Sequence, residues 1–280
     1  MQYKKTSLKR LNDRGILKND IGYRKQVFAI EDDKKTSILV RIINPNYRPL
    51  FERNIQAMLI CSNNNIHAPR LIEVDNDNME VLMTDVGDNI FDVTDNRLKN
   101  ASWLGSGLRE LKKLYDIQKK HSSLHRLPYF EKLQRITSLS SIERQICEYY
   151  RQKIQALQDV QLGYGIDDPS PTNFCVRNGI VSLIDFDNFF NDTSIWTSYG
   201  FAISSLFTKT KFANATAEEA ERYLYSLDIC SEMTTDENQL FRVGLLNNLV
   251  TLHYDDYVEG TNFSGEWEVF EKTILGIKWC

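Results

Sequence analysis

The stretch from Gly165 to Asp187, Gly-Ile-Asp-Asp-Pro-Ser-Pro-Thr-Asn-Phe-Cys-Val-Arg-Asn-Gly-Ile-Val-Ser-Leu-Ile-Asp-Phe-Asp, constrains the fold more than any other part of this 280-residue chain. Pro169 and Pro171 exclude a helix and force an irregular loop. Phe174-Cys175-Val176 and Val181-Ser182-Leu183-Ile184 read as short apolar strands, and Arg177-Asn178-Gly179 between them as a hairpin turn, since Asn and Gly accept positive φ. Such a hairpin brings Asn173, at its start, beside Asp185, at its end, with Asp168 on the loop just before. Two carboxylates and an amide then converge at one end of a rigid element. Oxygen ligands of this kind suit a hard cation such as Mg²⁺, which takes one or two carboxylates from protein and the rest from phosphate and water. The remaining aspartate is free to orient a hydroxyl and accept its proton. The alternative use of the same residues is to cap surface turns. Asp-x4-Asn alone decides little, because Asp95 and Asn100 repeat it elsewhere. The proline, the hairpin and the Ile-Asp-Phe-Asp that follows make the pattern specific.

The first third reads as a sheet with one helix inserted. Gln26–Ile30 and Ser37–Ile43 are β-rich runs joined by the polar turn 31–35, so they predict a hairpin. Asn44-Pro45-Asn46 breaks the strand. A helix is expected from about Arg48 to Cys61, with Phe51, Ile55, Met58 and Leu59 on one face. Two further strands are expected at 70–74 and 79–83, joined by Asp75-Asn76-Asp77-Asn78. Beyond Asp85 the pattern turns helical. Ser102 to Lys120 carries Leu104, Leu108, Leu111 and Tyr115 at helical spacing, another helix covers 141–157, and after the strand-rich patch 173–190 the rest is mostly helical. The implied class is α+β with two lobes and a cleft between them, residues 1–85 forming a β-rich lobe and 86–280 a helical one.

Composition narrows the function classes. The chain is 42% hydrophobic and 26% charged, as globular enzymes are. Its opening residues are too polar for a signal peptide, and no apolar run approaches the ~18 residues that span a bilayer. Cys61, Cys147, Cys175, Cys230 and Cys280 contain no Cys-x-x-Cys pair, so reduced thiols in a cytoplasm are expected, without a disulfide framework or zinc site. From Phe212 onward 4 Lys+Arg face 13 Asp+Glu, a balance of −9 within a net −4, so the first 211 residues carry +5. That is too little basic charge for a nucleic-acid surface.

With Asp168, Pro171, Asn173 and the Ile184-Asp185-Phe186-Asp187 run in place, the sequence resembles the aminoglycoside phosphotransferase and choline kinase group of the protein-kinase-like fold. That family's pattern is His-Gly-Asp-x-x-x-x-Asn followed by Ile-Asp-[Phe/Trp]-[Glu/Asp]. The resemblance implies an ATP- and Mg²⁺-dependent phosphotransferase. It makes Asp168 the catalytic aspartate and Asn173 and Asp185 the Mg²⁺ ligands, and puts Asp187 at the second acidic position. It puts Arg41 at the phosphate-contacting strand position, held by Glu52 of the following helix, with Gln56 as rival. It places the adenine against the backbone of Thr84 and Val86 in a hinge, and Gly22-Tyr23-Arg24 at the short phosphate cover. The match runs in order over about residues 20–205. It departs from the family in two places. Ile166-Asp167 replaces His-Gly, and Tyr199-Gly200-Phe201-Ala202 lacks the brace aspartate of the family's Asp-Leu-Ala. A nucleotide-fold binding module without turnover, or a protein or lipopolysaccharide-type kinase of the same fold, are the alternatives these departures leave. Carboxylates and aromatic rings in Tyr254-Asp255-Asp256-Tyr257, Trp267-Glu268, Phe270-Glu271 and Trp279 favour a cationic small-molecule acceptor. The competing use of that segment is an ordinary acidic helix.

Overall fold

The computed structural model describes residues 5–7, 25–32, 35–123, 141–157, 159–208 and 233–259, with isolated positions between 218 and 227. The cover segment Gly22-Tyr23-Arg24 and residues 260–280 lie outside the described residues, as do the side chains of 249–259. The acidic and aromatic groups from Tyr254 to Trp279 therefore lie outside them too.

The N-terminal lobe is a five-stranded antiparallel sheet in the order β1-β2-β3-β5-β4. Its strands are β1 (Lys5–Ser7), β2 (Lys25–Asp32), β3 (Lys35–Ile42), β4 (Leu71–Asp75) and β5 (Glu80–Thr84). The expected hairpin is β2–β3, in register from Lys25 opposite Ile42 to Asp32 opposite Lys35. Leu39 packs outward with Ile30 and Leu82 in a small cluster. Val40 and Ile42 point the other way, toward the interior.

Helix α1 (Arg48–Asn63) crosses between β3 and β4, with Pro49 in its first turn, where the missing N–H matters least. Phe51, Ala57, Met58 and Cys61 are buried. Leu59, expected on that face, is 49% exposed. The buried stripe passes through Ala57 and Cys61, so Leu59 falls outside it.

The C-terminal lobe contains α2 (Arg97–Ile117), β7 (Lys120–Ser122), α3 (Ser141–Gln155), β8 (Val160–Ile166), β9 (Phe174–Arg177), β10 (Ile180–Leu183), β11 (Phe189–Thr193), α4 (Ile195–Thr208) and α5 (Thr235–Glu259). A two-residue strand β6 (Asp88–Asn89) lies between the lobes. Helix α2 begins five residues earlier than expected, because the Asn96 side chain accepts a hydrogen bond from the Lys99 N–H at 3.0 Å and caps it. Asn100 bonds the Thr94 carbonyl at that same start, so the Asp95/Asn100 spacing falls at a helix N-terminus. The predicted hairpin is present. Asn178 and Gly179, at φ 53° and 79°, join β9 to β10, and β6 adds to β9 to complete a three-stranded sheet. A second small sheet, β11-β8-β7, was not expected.

One apolar core runs through both lobes, from Ile42, Phe51 and Met58 through Phe174, Leu183 and Phe186 to Leu104, Leu108 and Phe241. Helices α4 and α5 meet backbone to backbone. A Cβ on Gly200 would lie 2.0 Å from the Phe241 carbonyl oxygen, and one on Gly244 would lie 2.1 Å from that of Thr197. Among the described residues no helix is long and apolar enough to cross a membrane.

Candidate active site

The cleft between the lobes has an apolar half and a charged end. Val27, Ile38, Val40, Ile42, Met58, Val81, Met83 and Ile184 line the apolar half, and Thr84-Asp85-Val86-Gly87 closes its back. Lys25, Asn54, Asp185 and Asp187 form the charged end.

The charged end follows from a local turn. β10 ends at Leu183, and Asp185 takes a left-handed conformation, φ 59° and ψ 71°, that Asp and Asn tolerate better than other side chains. A single turn of 3₁₀ helix, Phe186–Asn188, follows, anchored by the fully buried Phe186. Asp185 and Asp187 thereby face the same cleft. The Lys25 ammonium donates to Asp185 Oδ1 at 2.8 Å and to both Asp187 oxygens at 3.3 Å. Asn54 Nδ2 donates to Asp187 Oδ1 at 2.6 Å and to the Leu50 carbonyl at 3.1 Å. Burial pushes the Asp185 carboxyl up to about 6, the nearby Lys25 charge pulls against this, and Asp187 adds to it.

Asp168 sits on a loop held from several sides. Its Oδ1 accepts from the Ser170 N–H at 3.2 Å, and its carbonyl accepts from Asn173 Nδ2 at 2.9 Å. The Asn173 N–H donates to the Ser170 carbonyl at 2.8 Å, and its own carbonyl accepts from the Ile184 N–H at 2.9 Å. Asn173 thus lies one residue from Asp185 across the hairpin end. With Nδ2 donating to the Asp168 carbonyl, the amide oxygen is the acceptor end of the side chain.

Asn89 braces this loop from the opposite side. It is 3% exposed. Its Nδ2 faces the carbonyls of Pro171 (3.3 Å), Thr172 (2.9 Å) and Phe174 (3.3 Å), while its Oδ1 accepts from the Phe91 N–H at 3.0 Å. In α4, Ser198 stands one residue before Tyr199. It is buried, and its hydroxyl reaches the Ile166 carbonyl at 3.5 Å and the Ser194 carbonyl at 3.3 Å. Polar side chains other than the absent aspartate therefore support the loop.

The hinge is tied to the same hairpin. Asp85, its side chain 4% exposed, pairs with Arg177 Nη2 at 2.7 Å and accepts from the Gly87 N–H at 2.9 Å. Gly87 has φ 104°, and a Cβ there would lie 2.3 Å from the Val176 carbonyl oxygen. Only glycine meets both demands. On the other side, the Leu183 N–H donates to the His67 carbonyl at 2.9 Å, and the His67 N–H donates to the buried Glu110 at 3.0 Å.

Two expected positions need correction. Arg41 does not face the cleft. It alternates with Val40 and Ile42, so its side chain lies on the outer face of the sheet, where it pairs with Glu80, its cross-strand neighbour on β5. Glu52 is exposed and does not reach Arg41's face of the sheet. Gln56 is exposed as well, and Asn54 is the α1 residue turned toward the acidic pair. Thr84 and Val86 line the back of the cleft. Lys25, Asn54, Asn89 and Arg177 carried no motif signal. Only the lysine preceding the β-rich Gln26–Ile30 run offered a hint, since it begins a strand expected to neighbour Arg41.

No protein-family model and no curated protein sequence matches this one. Solved structures do. A choline kinase from Streptococcus pneumoniae aligns with 89% of this chain and 88% of its own length at TM-score 0.55 and 10% identity. An amicoumacin kinase in complex with AMP-PNP and Ca²⁺ aligns with 94% of this chain and 93% of its own at TM-score 0.56 and 14% identity. An aminoglycoside phosphotransferase from Streptomyces rimosus aligns with 87% of this chain and 98% of its own at TM-score 0.54 and 13% identity. The chain has the bilobal protein-kinase-like α+β fold of these structures, and in that fold it resembles the choline kinase and aminoglycoside phosphotransferase group at low sequence identity.

Proposed function

We propose that this chain is an ATP- and Mg²⁺-dependent phosphotransferase that moves the γ-phosphate to a hydroxyl of a small molecule: an amino alcohol, an amino sugar or a sugar. Residues 1–85 serve as the nucleotide lobe, and 86–280 carry the catalytic loop and acceptor site. One observation carries this reading: an apolar slot backed by the hinge ends at Asp185 and Asp187, and the loop that bears Asp168 is bonded to the same hairpin through Asn173 and Ile184. Adenine suits the slot, and phosphates with their metal suit its charged end.

The donor set fits Mg²⁺. Asp185 and Asp187, with the amide oxygen of Asn173 one residue away across the hairpin end, offer few protein ligands, and among the described residues no group of three or more His, Cys, Asp or Glu could hold a metal by itself. Mg²⁺ completes its shell from phosphate and water, so a sparse set is what it needs. When bound, the metal would neutralise charge on the phosphate oxygens. Asp168 orients the acceptor hydroxyl and takes its proton as the oxygen bonds to the γ-phosphorus. The bond from that phosphorus to the β,γ-bridging oxygen breaks, and ADP leaves. Asn173 fixes Asp168 through its carbonyl. A cytoplasmic setting, where thiols such as the buried Cys61 and Cys175 stay reduced, suits this chemistry.

ATP turnover with Mg²⁺ across a panel of amino alcohols, amino sugars and sugars tests it. Turnover on at least one class is expected, falling ~100-fold or more in Asp168→Ala. A wild-type protein that binds no nucleotide, or one no faster than Asp168→Ala on every acceptor, refutes it.

A further inference from the structure

We propose that Lys25 is the cation that grips the nucleotide's phosphate chain, acting from β2 instead of β3, and that it shares Asp185 and Asp187 with the metal. This rests on the phosphotransferase reading of the cleft and names a residue that reading does not supply.

Among the described residues, the cleft offers the positive charge one place to sit. On β3 the cleft-facing positions are Ile38, Val40 and Ile42, all aliphatic, while Arg41 is spent on Glu80 across the sheet. Lys25 lies directly opposite Ile42 in the β2–β3 register and projects into the cleft beside it. Among the described residues it is the one basic residue lining the cleft. Its side chain is only 13% exposed, yet its ammonium reaches both carboxylates of the charged end. A lysine buried to that degree at the mouth of an apolar slot is held there by its partners and adds little to the apolar packing.

The helix takes part through a relay. Asn54 holds Asp187, and Asp187 holds Lys25, so α1 sets the position of the ammonium through a carboxylate of the opposite lobe. The Arg41–Glu52 pair expected within one lobe is replaced by a bridge across the cleft. An ammonium at 2.8 Å from Asp185 also opposes a second cation on that carboxylate. Phosphate oxygens relieve this conflict, because they accept from the ammonium and ligate the metal at once.

Equilibrium binding separates this role from a structural one. In Lys25→Met, affinity for MgATP is expected to fall ~10- to 100-fold, the range of a charge-assisted contact. Adenosine, which lacks phosphates, binds within about twofold of wild type, and Mn²⁺ alone binds at least as tightly, since a neighbouring positive charge is gone. Lys25→Arg recovers part of the MgATP affinity. Arg41→Met, on the outer face, leaves all three ligands unchanged. Equal losses for MgATP and adenosine, a loss of Mn²⁺ affinity, or an MgATP loss in Arg41→Met but not in Lys25→Met each overturn the assignment. If wild type binds neither MgATP nor adenosine, the phosphotransferase reading falls first and takes this one with it. If wild type binds both and Lys25→Met is silent, only the lysine assignment falls.

Discussion

Replacing Asn89 is expected to loosen the Asp168 loop more than any other change outside the acidic cluster. Its Nδ2 has two hydrogens for three carbonyl oxygens, at 2.9 and 3.3 Å, and so supplies about two hydrogen bonds. Its Oδ1 supplies a third bond by accepting from Phe91. At roughly 1 kcal/mol net for each, with the partners left buried in Asn89→Ala, the loss comes to about 3 kcal/mol. That is a sizeable part of the ~5–15 kcal/mol by which folded domains are stable. The assay is urea unfolding, read as a lower midpoint at unchanged slope. Calorimetry should show a fall of about 6 °C, at ~2 °C per kcal/mol for a chain of this size. Asn89→Asp is the sharper probe. It keeps the shape but turns an acceptor toward three carbonyl oxygens, so it should destabilise more than alanine does. If aspartate is tolerated better than alanine, or if alanine loses less than about 1 kcal/mol, the two prolines hold the loop unaided and the brace assignment is refuted. Because the loop carries Asp168, kcat should fall further than KM rises.

Further outcomes can be checked alongside. Gly87→Ala forces a Cβ to 2.3 Å from a backbone oxygen at φ 104°, so it should lower the melting temperature and weaken adenosine binding, measured by calorimetry and titration. Arg177→Ala leaves the buried Asp85 without its guanidinium and should cost about 2 kcal/mol in urea unfolding. Burial pushes the Cys61 thiol up to about 12, with Glu110 adding to it, and burial likewise raises the Tyr115 and Tyr199 hydroxyls. These groups stay protonated in the folded chain while the unfolded chain ionises, so stability is full below the ordinary thiol value of 9.0 and falls as pH rises above it. Urea midpoints on either side of that pH test the sign. In the native state Cys61 should resist thiol reagents at pH ~8.

The hairpin that carries the acidic cluster was legible because its turn chemistry and its apolar strands agree. Asn178-Gly179 admits few conformations, and a turn there fixes which residues meet at the far end. The β2–β3 and β4–β5 pairs were legible for the same reason. The facing of β3 was not. Ile38, Leu39, Val40, Ile42 and Ile43 are all apolar, so alternation does not say which set looks inward, and the only charged residue in the run, Arg41, draws the eye to the wrong face. Glu52 misled in a similar way. Its charge fits a partner for Arg41, but the inward stripe of α1 runs through Phe51, Asn54 and Met58, and a lone asparagine carries no signal of its partner. β8 escaped notice because Gly163 and Gly165 dilute its strand character. Both glycines are there for close contact, Gly163 with Tyr115 and Gly165 with Thr193. Asn89 and Ser198 act on carbonyl oxygens, which have no side-chain identity to leave a pattern in the sequence.

The pinning of the hinge has a consequence for motion. Gly87 rests on the Val176 backbone, Asp85 is clasped by Arg177, and the loop before β4 is bonded to β10 through His67. The hinge backbone and the hairpin bearing Asp185 are therefore fastened to each other at three points. The start of β2 is tied to that same hairpin through the tip of Lys25. Any widening of the cleft must lengthen the separation between that ammonium and Asp185, and a pair of spin labels on β2 and on β9 would follow it.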